Sequence, residues 1–131
     1  MVEQKHNDAT HNRPEGNRPL DADVVKIDIP DCIRKIKSED TWMKNDRNAM
    51  TVFKNSEATI VIIALRGGAE LKPHSDTGFV VFQVMEGSVD FYSNEDKTEL
   101  LTGCAVVAHK EIKYGLKAKQ DSVVMMTSTG S

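Results

Sequence analysis

The amino-acid sequence predicts an all-β protein, a sandwich or barrel of antiparallel sheets, with one short helix ahead of the sheets. From residue 50 onward, runs of β-branched and aromatic residues alternate with polar turn signals about every 8 to 12 residues, a spacing typical of β-sandwiches and barrels. One earlier segment has its apolar residues at helical spacing instead. These two patterns define the expected fold class.

The N-terminal part of the domain is predicted to contain one strand and the helix. The alternating apolar residues of the segment VVKIDIP predict a short strand over residues 24–30. Pro30 and then Asp31, the predicted N-cap, precede Ile33 and Ile36 at helical spacing. This is the only helix that the sequence predicts.

All later segments are predicted to be strands. The runs MTVFKN and ATIVIIALR flank a polar turn at Asn55–Glu57, which indicates a β-hairpin. Further strands are predicted over residues 69–76, 78–87, 88–93, 98–103, 104–110, 114–118 and 121–129.

Length and composition indicate one globular domain. The chain has 131 residues, of which 39% are hydrophobic and 28% charged, as in ordinary soluble proteins. Residues 1–19 are polar and show no periodicity, so we predict a disordered tail there. The domain is therefore expected over residues 20–131.

Charge and hydropathy argue against two classes of partner. The net charge is −3, so no basic face for nucleic acid is indicated. No apolar run approaches the roughly 20 residues of a membrane helix, and no hydrophobic leader suggests secretion. Cys32 and Cys104 lie in apolar settings and are expected to be reduced, buried thiols. A cytoplasmic location is therefore predicted.

One strand is apolar on both faces. Val80, Phe82 and Val84 share one face, whereas Val81 and Met85 lie on the other. The second face must be covered, either by the N-terminal helix or by another subunit. A homodimer is therefore expected.

The segment AELKPHSDTGFVVFQVMEG suggests a site. His74 and Asp76 are two residues apart, so on a strand they face the same side. Imidazole and carboxylate groups both offer a lone pair at neutral pH. Together they supply two candidate metal ligands just before a turn.

The spacing of several residues resembles the conserved barrel of the small single-domain cupins. Gly68 is followed by five residues and then His74, Gly87 closes this first motif, and Gly103 opens the second. The resemblance covers about residues 18–128. It implies a double-stranded β-helix, or jelly roll, as the fold.

The cupin metal is held by three histidines and one glutamate, and the resemblance assigns those positions here to His74, Asp76, Val80 and Tyr114. Valine has no lone pair to offer, and tyrosine must lose a proton with a pKa of about 10 before it ligates well. His109 stands at the family's proline position, and Glu111 at a glycine position. The metal motif is therefore degenerate.

Three functions remain open. The favoured one is a non-catalytic module that binds a small ligand or has a sensing or structural role, with a pocket formed by His74, Asp76, Phe82, His109 and Tyr114. No cofactor is expected in that case. The alternative is a metal-dependent enzyme of dioxygenase or isomerase type that holds Fe, Zn, Mn or Ni through His74 with Asp76 or His109. The third is an interaction partner with a solidly packed interior.

Overall fold

The computed structural model describes residues 20–74 and 77–130, with the backbone alone at positions 73 and 74. The predicted tail, residues 1–19, and Asp76 lie outside the described residues. Within them, the chain forms these helices and strands: α1 Ile29–Ser38, α2 Asp40–Lys44, β1 Arg47–Lys54, β2 Ala58–Leu65, β3 Glu70–His74, β4 Val80–Glu86, β5 Ser88–Ser93, β6 Asp96–Leu101, β7 Ala105–Ala108, β8 Tyr114–Ala118 and β9 Ser122–Thr129. The predicted all-β class with an N-terminal helix is confirmed.

The helix α1 begins earlier than predicted. Asp28, not Asp31, is the N-cap, and its side chain accepts a hydrogen bond from the backbone N–H of Asp31 at 3.0 Å. Pro30 lies in the first turn, where its missing N–H costs nothing and its fixed φ suits a helix. The strand predicted over residues 24–30 is wrong, because its last two residues belong to the helix and the others belong to no strand.

A second helix, α2, was not predicted. It has five residues, too few for a periodic apolar pattern to be visible in the sequence. Its one buried side chain is Trp42. The Arg66 guanidinium lies 3.8 Å from the centre of the Trp42 ring and donates a hydrogen bond of 2.9 Å to the Trp42 carbonyl. This contact joins the helix to the end of β2.

The strands form two antiparallel sheets. A five-stranded sheet has the order β1-β2-β9-β4-β7, and a four-stranded sheet has the order β3-β8-β5-β6. The predicted hairpin is confirmed as β1 and β2, although β1 begins at Arg47. Because strands distant in sequence are neighbours in each sheet, the topology is a jelly roll rather than a series of hairpins.

The main hydrophobic core lies between the two sheets. The inward face of β4, with Val80, Phe82 and Val84, is about 1% exposed, as its alternation predicted. Inward residues of β5, β8 and β9 complete the core from both sheets. At about 25 cal/mol per Å² of apolar surface removed from water, this burial is the largest stabilising contribution.

A second hydrophobic core covers part of the outer face of the five-stranded sheet. Ile33 and Ile36 of α1 and Trp42 of α2 pack against β1, β2 and β9. Met85, on the outer face of β4, contacts the edge of this cluster. The predicted covering of that face by the helix is therefore confirmed there. Farther out, Val107 of β7 remains 59% exposed.

Two smaller predictions have mixed outcomes. Cys32 and Cys104 are free thiols, as expected, but Cys32 is only half-buried and Cys104 is exposed. The prediction of two buried cysteines is wrong because Cys104 lies in the turn that precedes β7 rather than within a strand. No helix among the described residues combines the length and apolar character that crossing a membrane requires.

Candidate functional site at the barrel mouth

Several of the predicted site residues lie at or near strand ends at one end of the barrel, which we call the barrel mouth. Residues 75–79 connect β3 to β4 at this end, residues 109–113 connect β7 to β8, and the turn 94–95 joins β5 to β6. Because all three connections lie at the same end, the strand termini beside them form its rim.

Strand register aligns two predicted residues across this rim. His74, at the end of β3, is the backbone partner of Tyr114, the first residue of β8, and Tyr114 is also paired with Ser93 of β5. On the facing sheet, Val80 is paired with Ala108 of β7. The backbone thus holds His74 and Tyr114 side by side, while the His74 side chain lies outside the described atoms.

An aromatic cluster lies just below the mouth. The Phe82 and Tyr114 rings meet edge to face with their centres 5.4 Å apart, a favourable arrangement for two π systems. Phe91 stacks on Tyr114 at 5.8 Å and lies 6.0 Å from Phe82. The structure thus brings two of the predicted site residues, Phe82 and Tyr114, into contact. Phe91 was missed, although its alternation with Val89 in SVDFYS indicates an inward position.

Two of the four metal positions implied by the cupin resemblance do not fit a divalent cation. Val80 is 1% exposed within the main core and has no donor atom. Tyr114 is 4% exposed, and its ring packs between two phenylalanines. No group of three or more His, Cys, Asp or Glu side chains suited to a metal occurs among the described residues. The other two positions, His74 and Asp76, lie outside the described side chains.

His109 lies in the connection that follows β7 and is exposed. Its neighbour Ile112 packs on the main core, and the Ile112 backbone N–H donates a hydrogen bond of 3.3 Å to the His109 carbonyl, which closes the turn. Within this turn Glu111 has a positive φ of 69°, an unfavourable conformation for a non-glycine residue. The mouth therefore carries one exposed imidazole beside a strained turn.

Comparisons with known proteins find the same architecture. A cupin superfamily protein from Desulfitobacterium hafniense has a TM-score of 0.64 at 10% identity, covering 66% of this chain and 80% of that one. KdgF from Halomonas sp. has a TM-score of 0.61 at 22% identity, with coverage of 66% and 80%. Salicylate 1,2-dioxygenase from Pseudaminobacter salicylatoxidans has a TM-score of 0.58 at 23% identity, covering 63% of this chain and 26% of that one.

Comparison of the sequence alone does not assign the protein to a family. No protein-family model matches the sequence, and no curated protein matches it significantly. The structural neighbours include a dioxygenase and a protein of unknown function, so their likeness shows the architecture and not an activity. The two antiparallel sheets, their strand order and the solved neighbours together establish that this chain has the cupin fold.

Proposed function

We propose that the protein is a non-catalytic cupin-fold module that binds a small molecule at the barrel mouth. The observation that carries the proposal is the chemistry of two former ligand positions. Val80 and Tyr114 are part of an apolar, aromatic cluster instead of a set of cation ligands. Apolar and aromatic side chains with few polar groups are typical of the lining of small-molecule pockets.

The pocket of this proposal consists of the residues singled out in the sequence: His74, Asp76, Phe82, His109 and Tyr114. Tyr114 supplies a phenol hydroxyl, which can donate or accept a hydrogen bond. Phe82 and Phe91 supply apolar surface below it. A ligand with an apolar ring and one polar substituent suits this combination.

A thermal-shift screen tests the proposal. Because a ligand that binds only the folded state raises its stability by mass action, a fragment set of substituted aromatic compounds should contain members that raise Tm. Tyr114→Phe should reduce that shift, since it removes the hydroxyl and keeps the ring. Ser38→Ala, which removes a hydroxyl from the end of α1, is the control and should leave the shift unchanged.

Metal analysis separates this proposal from the alternative enzyme. Protein purified without chelators is expected to contain less than about a tenth of an equivalent of Fe, Zn, Mn or Ni. Stoichiometric metal that is lost in His74→Ala would support the metal-dependent alternative with Asp76 or His109. No Tm shift with any fragment or metal would instead favour a packed interaction partner.

We also propose a homodimer formed through the outer face of β4 and β7. Val81, Gln83, Ala105 and Val107 face outward in paired positions, and this area lies beyond the cover of the helices. The edge strand β7 has the sequence AVVA, without the charged residues that commonly protect an edge. A two-fold pair of such faces would bury the same apolar residues of both copies.

Light scattering coupled to size-exclusion chromatography measures the oligomeric state. A dimer is expected at micromolar concentration, and Val107→Glu should convert it to a monomer. Leu101→Glu, at a 54% exposed position on the other sheet, is the control and should remain dimeric. A monomeric wild type would contradict the proposal.

A cytoplasmic location is part of the proposed function. It is supported by the two free thiols, which are typical of proteins in a reducing compartment.

A further inference from the structure

A second groove lies on the outer face of the four-stranded sheet, on the opposite side of β8 from the aromatic cluster. Its volume is about 500 Å³. The residues that matter for its chemistry are Lys72, Tyr92, Lys113, Gly115 and Lys117. Tyr114 also lines the groove and is the one residue that it shares with the pocket proposed at the barrel mouth.

A glycine interrupts the outward row of side chains on β8. Lys113, just before β8, and Gly115 and Lys117 within it are two residues apart, the spacing of one strand face. The two lysine Cα atoms lie about 13 Å apart at the rise of an extended strand, and Gly115 leaves a gap in the row of side chains between them. The Gly115 backbone itself is buried.

The two neighbouring strands form the sides of the gap. Tyr92 of β5 is the direct cross-strand partner of Gly115 and is 38% exposed. On the other side, Lys72 of β3 lies in the stretch where the pairing of β3 with β8 shifts register. The groove is thus lined by an aromatic residue on one side and by a lysine on the other.

The charges of the lining are unbalanced. Three lysines and one glutamate, Glu70, line the groove, which gives a net charge of +2 in a chain whose total is −3. Lys117 lies 3.9 Å from Glu70 and is the cross-strand partner of Asp90, so its charge is partly compensated. Lys72 and Lys113 form no ion pair with any described residue.

The lysine that follows β8 already forms an ion pair. Lys119 pairs with Glu99 of β6, and this contact lowers the pKa of the Glu99 carboxyl and raises the pKa of Lys119. The positive charge available to a ligand is therefore concentrated at Lys72 and Lys113, at the end of the groove nearest Asn94.

We propose that this groove binds a small ring compound that carries one carboxylate or phosphate group. The ring lies against the exposed part of Tyr92, and the anionic group is held between Lys72 and Lys113. Lysine binds both carboxylate and phosphate as a point charge, so the lining selects the charge and the ring rather than the type of anion.

Titration of ¹⁵N-labelled protein with phenyl phosphate tests the site directly. The amide signals of Lys72, Asn94, Gly115 and Lys117 should shift together along one binding curve. Inorganic phosphate, which lacks the ring, and benzyl alcohol, which lacks the charge, should each bind at least about fivefold more weakly, the loss of one contact of about 1 kcal/mol. Equal binding of inorganic phosphate and phenyl phosphate would overturn the role of Tyr92.

Charge-reversal variants supply the matched comparison. Lys113→Glu and Lys72→Glu should each weaken phenyl phosphate binding by about tenfold or more, because each replaces an attractive charge with a repulsive one. Lys44→Glu makes the same charge change on α2, in the helical layer, and should alter binding less than about twofold. Equal effects of all three variants, or shifts that map outside the groove, would overturn the proposal.

Discussion

At the scale of single residues, backbone conformation explains why certain positions of the cupin motifs are glycine. Gly68, Gly87 and Gly103 all have positive φ, between 85° and 91°. Glycine adopts such angles without steric cost. The spacing of the first motif predicts a tight hairpin turn at Gly87, and this prediction is wrong, because the strands that Gly87 joins, β4 and β5, belong to different sheets and do not pair. Glu111 occupies a fourth motif glycine position and keeps a positive φ without being glycine.

Gly87→Ala is expected to destabilise the protein by about 3 kcal/mol. A Cβ at this position would lie 2.3 Å from the Ser122 hydroxyl and 2.6 Å from the Asp121 carbonyl, in addition to the strain of the positive φ. Urea unfolding measures the loss. Gly103→Ala is the control, because its φ is also positive but a Cβ there meets nothing within 4 Å. It should cost only about 1 kcal/mol, and equal losses would contradict the steric explanation.

Glu111→Gly is expected to stabilise the protein by about 0.5–1 kcal/mol. Relief of the left-handed strain should exceed the entropy that a glycine adds to the unfolded chain. The midpoint of urea unfolding should rise with an unchanged m-value. Asn94→Gly is the comparison, since asparagine tolerates its φ of 53° well and the gain there should be smaller. A decrease in stability for Glu111→Gly would show that this side chain makes a contact worth more than the strain.

At the scale of elements, one buried amide fastens the end of α1 to β1. Asn48 is 7% exposed, and its side-chain NH₂ donates to the Ile36 carbonyl at 2.9 Å and to Glu39 Oε1 at 2.7 Å. Its side-chain oxygen accepts from the backbone N–H of Ala49 at 3.0 Å. A buried polar group with all its partners in place specifies how the helix docks.

Asn48→Ala is expected to cost about 2 kcal/mol, because it leaves the Ile36 carbonyl buried without this donor. Chemical denaturation followed by circular dichroism gives the value. Asn48→Asp should cost more at neutral pH, since a second carboxylate would face Glu39, and the difference should shrink as the pH falls and these carboxyls become protonated. A loss below about 0.5 kcal/mol for Asn48→Ala would mean that the amide has little part in docking.

At the scale of the whole molecule, the helical layer and the barrel share one sheet. Residues of β1, β2 and β9 contribute one face to the main core and the other to the cluster beneath the helices. Arg66 adds a direct link, since it contacts Trp42 and also lies 3.4 Å from Asp121 before β9. Loss of either layer exposes apolar surface of the shared sheet, so the two layers should unfold together.

Trp42 is the single tryptophan of the chain, so its fluorescence reports the helical layer while circular dichroism reports the strands. Both signals should give the same unfolding midpoint in the wild type. Arg66→Lys should lower stability by about 1 kcal/mol and change the emission maximum, because lysine cannot stack on the ring and reach its carbonyl as the planar guanidinium does.

Arg47→Lys is the control for that variant. Among the described residues, Arg47 forms an ion pair only with the adjacent, exposed Asp46. This substitution should therefore change stability by less than about 0.5 kcal/mol. Separate midpoints in the wild type would contradict the shared-sheet account.

Local patterns in the sequence determined the strands, since period-two alternation depends only on neighbouring residues. They also identified the motif order that indicates a cupin. The start of α1 was predicted wrongly, because the N-cap Asp28 and Pro30 in the first turn favour a helix more strongly than the short alternating pattern favours a strand. The helix α2 was not predicted, because five residues are too few to show a helical period. Only the tertiary structure decided which strands are neighbours.

The arrangement of neighbouring strands brings Phe91 into contact with Phe82 and Tyr114. It also forms the lysine-lined groove around Gly115. The spacing of Lys113, Gly115 and Lys117 on one strand face is visible in the sequence. The position of Tyr92 opposite the gap is not. The physical reason is that cross-strand contacts in a jelly roll join residues far apart in the chain, and no local periodicity encodes their register.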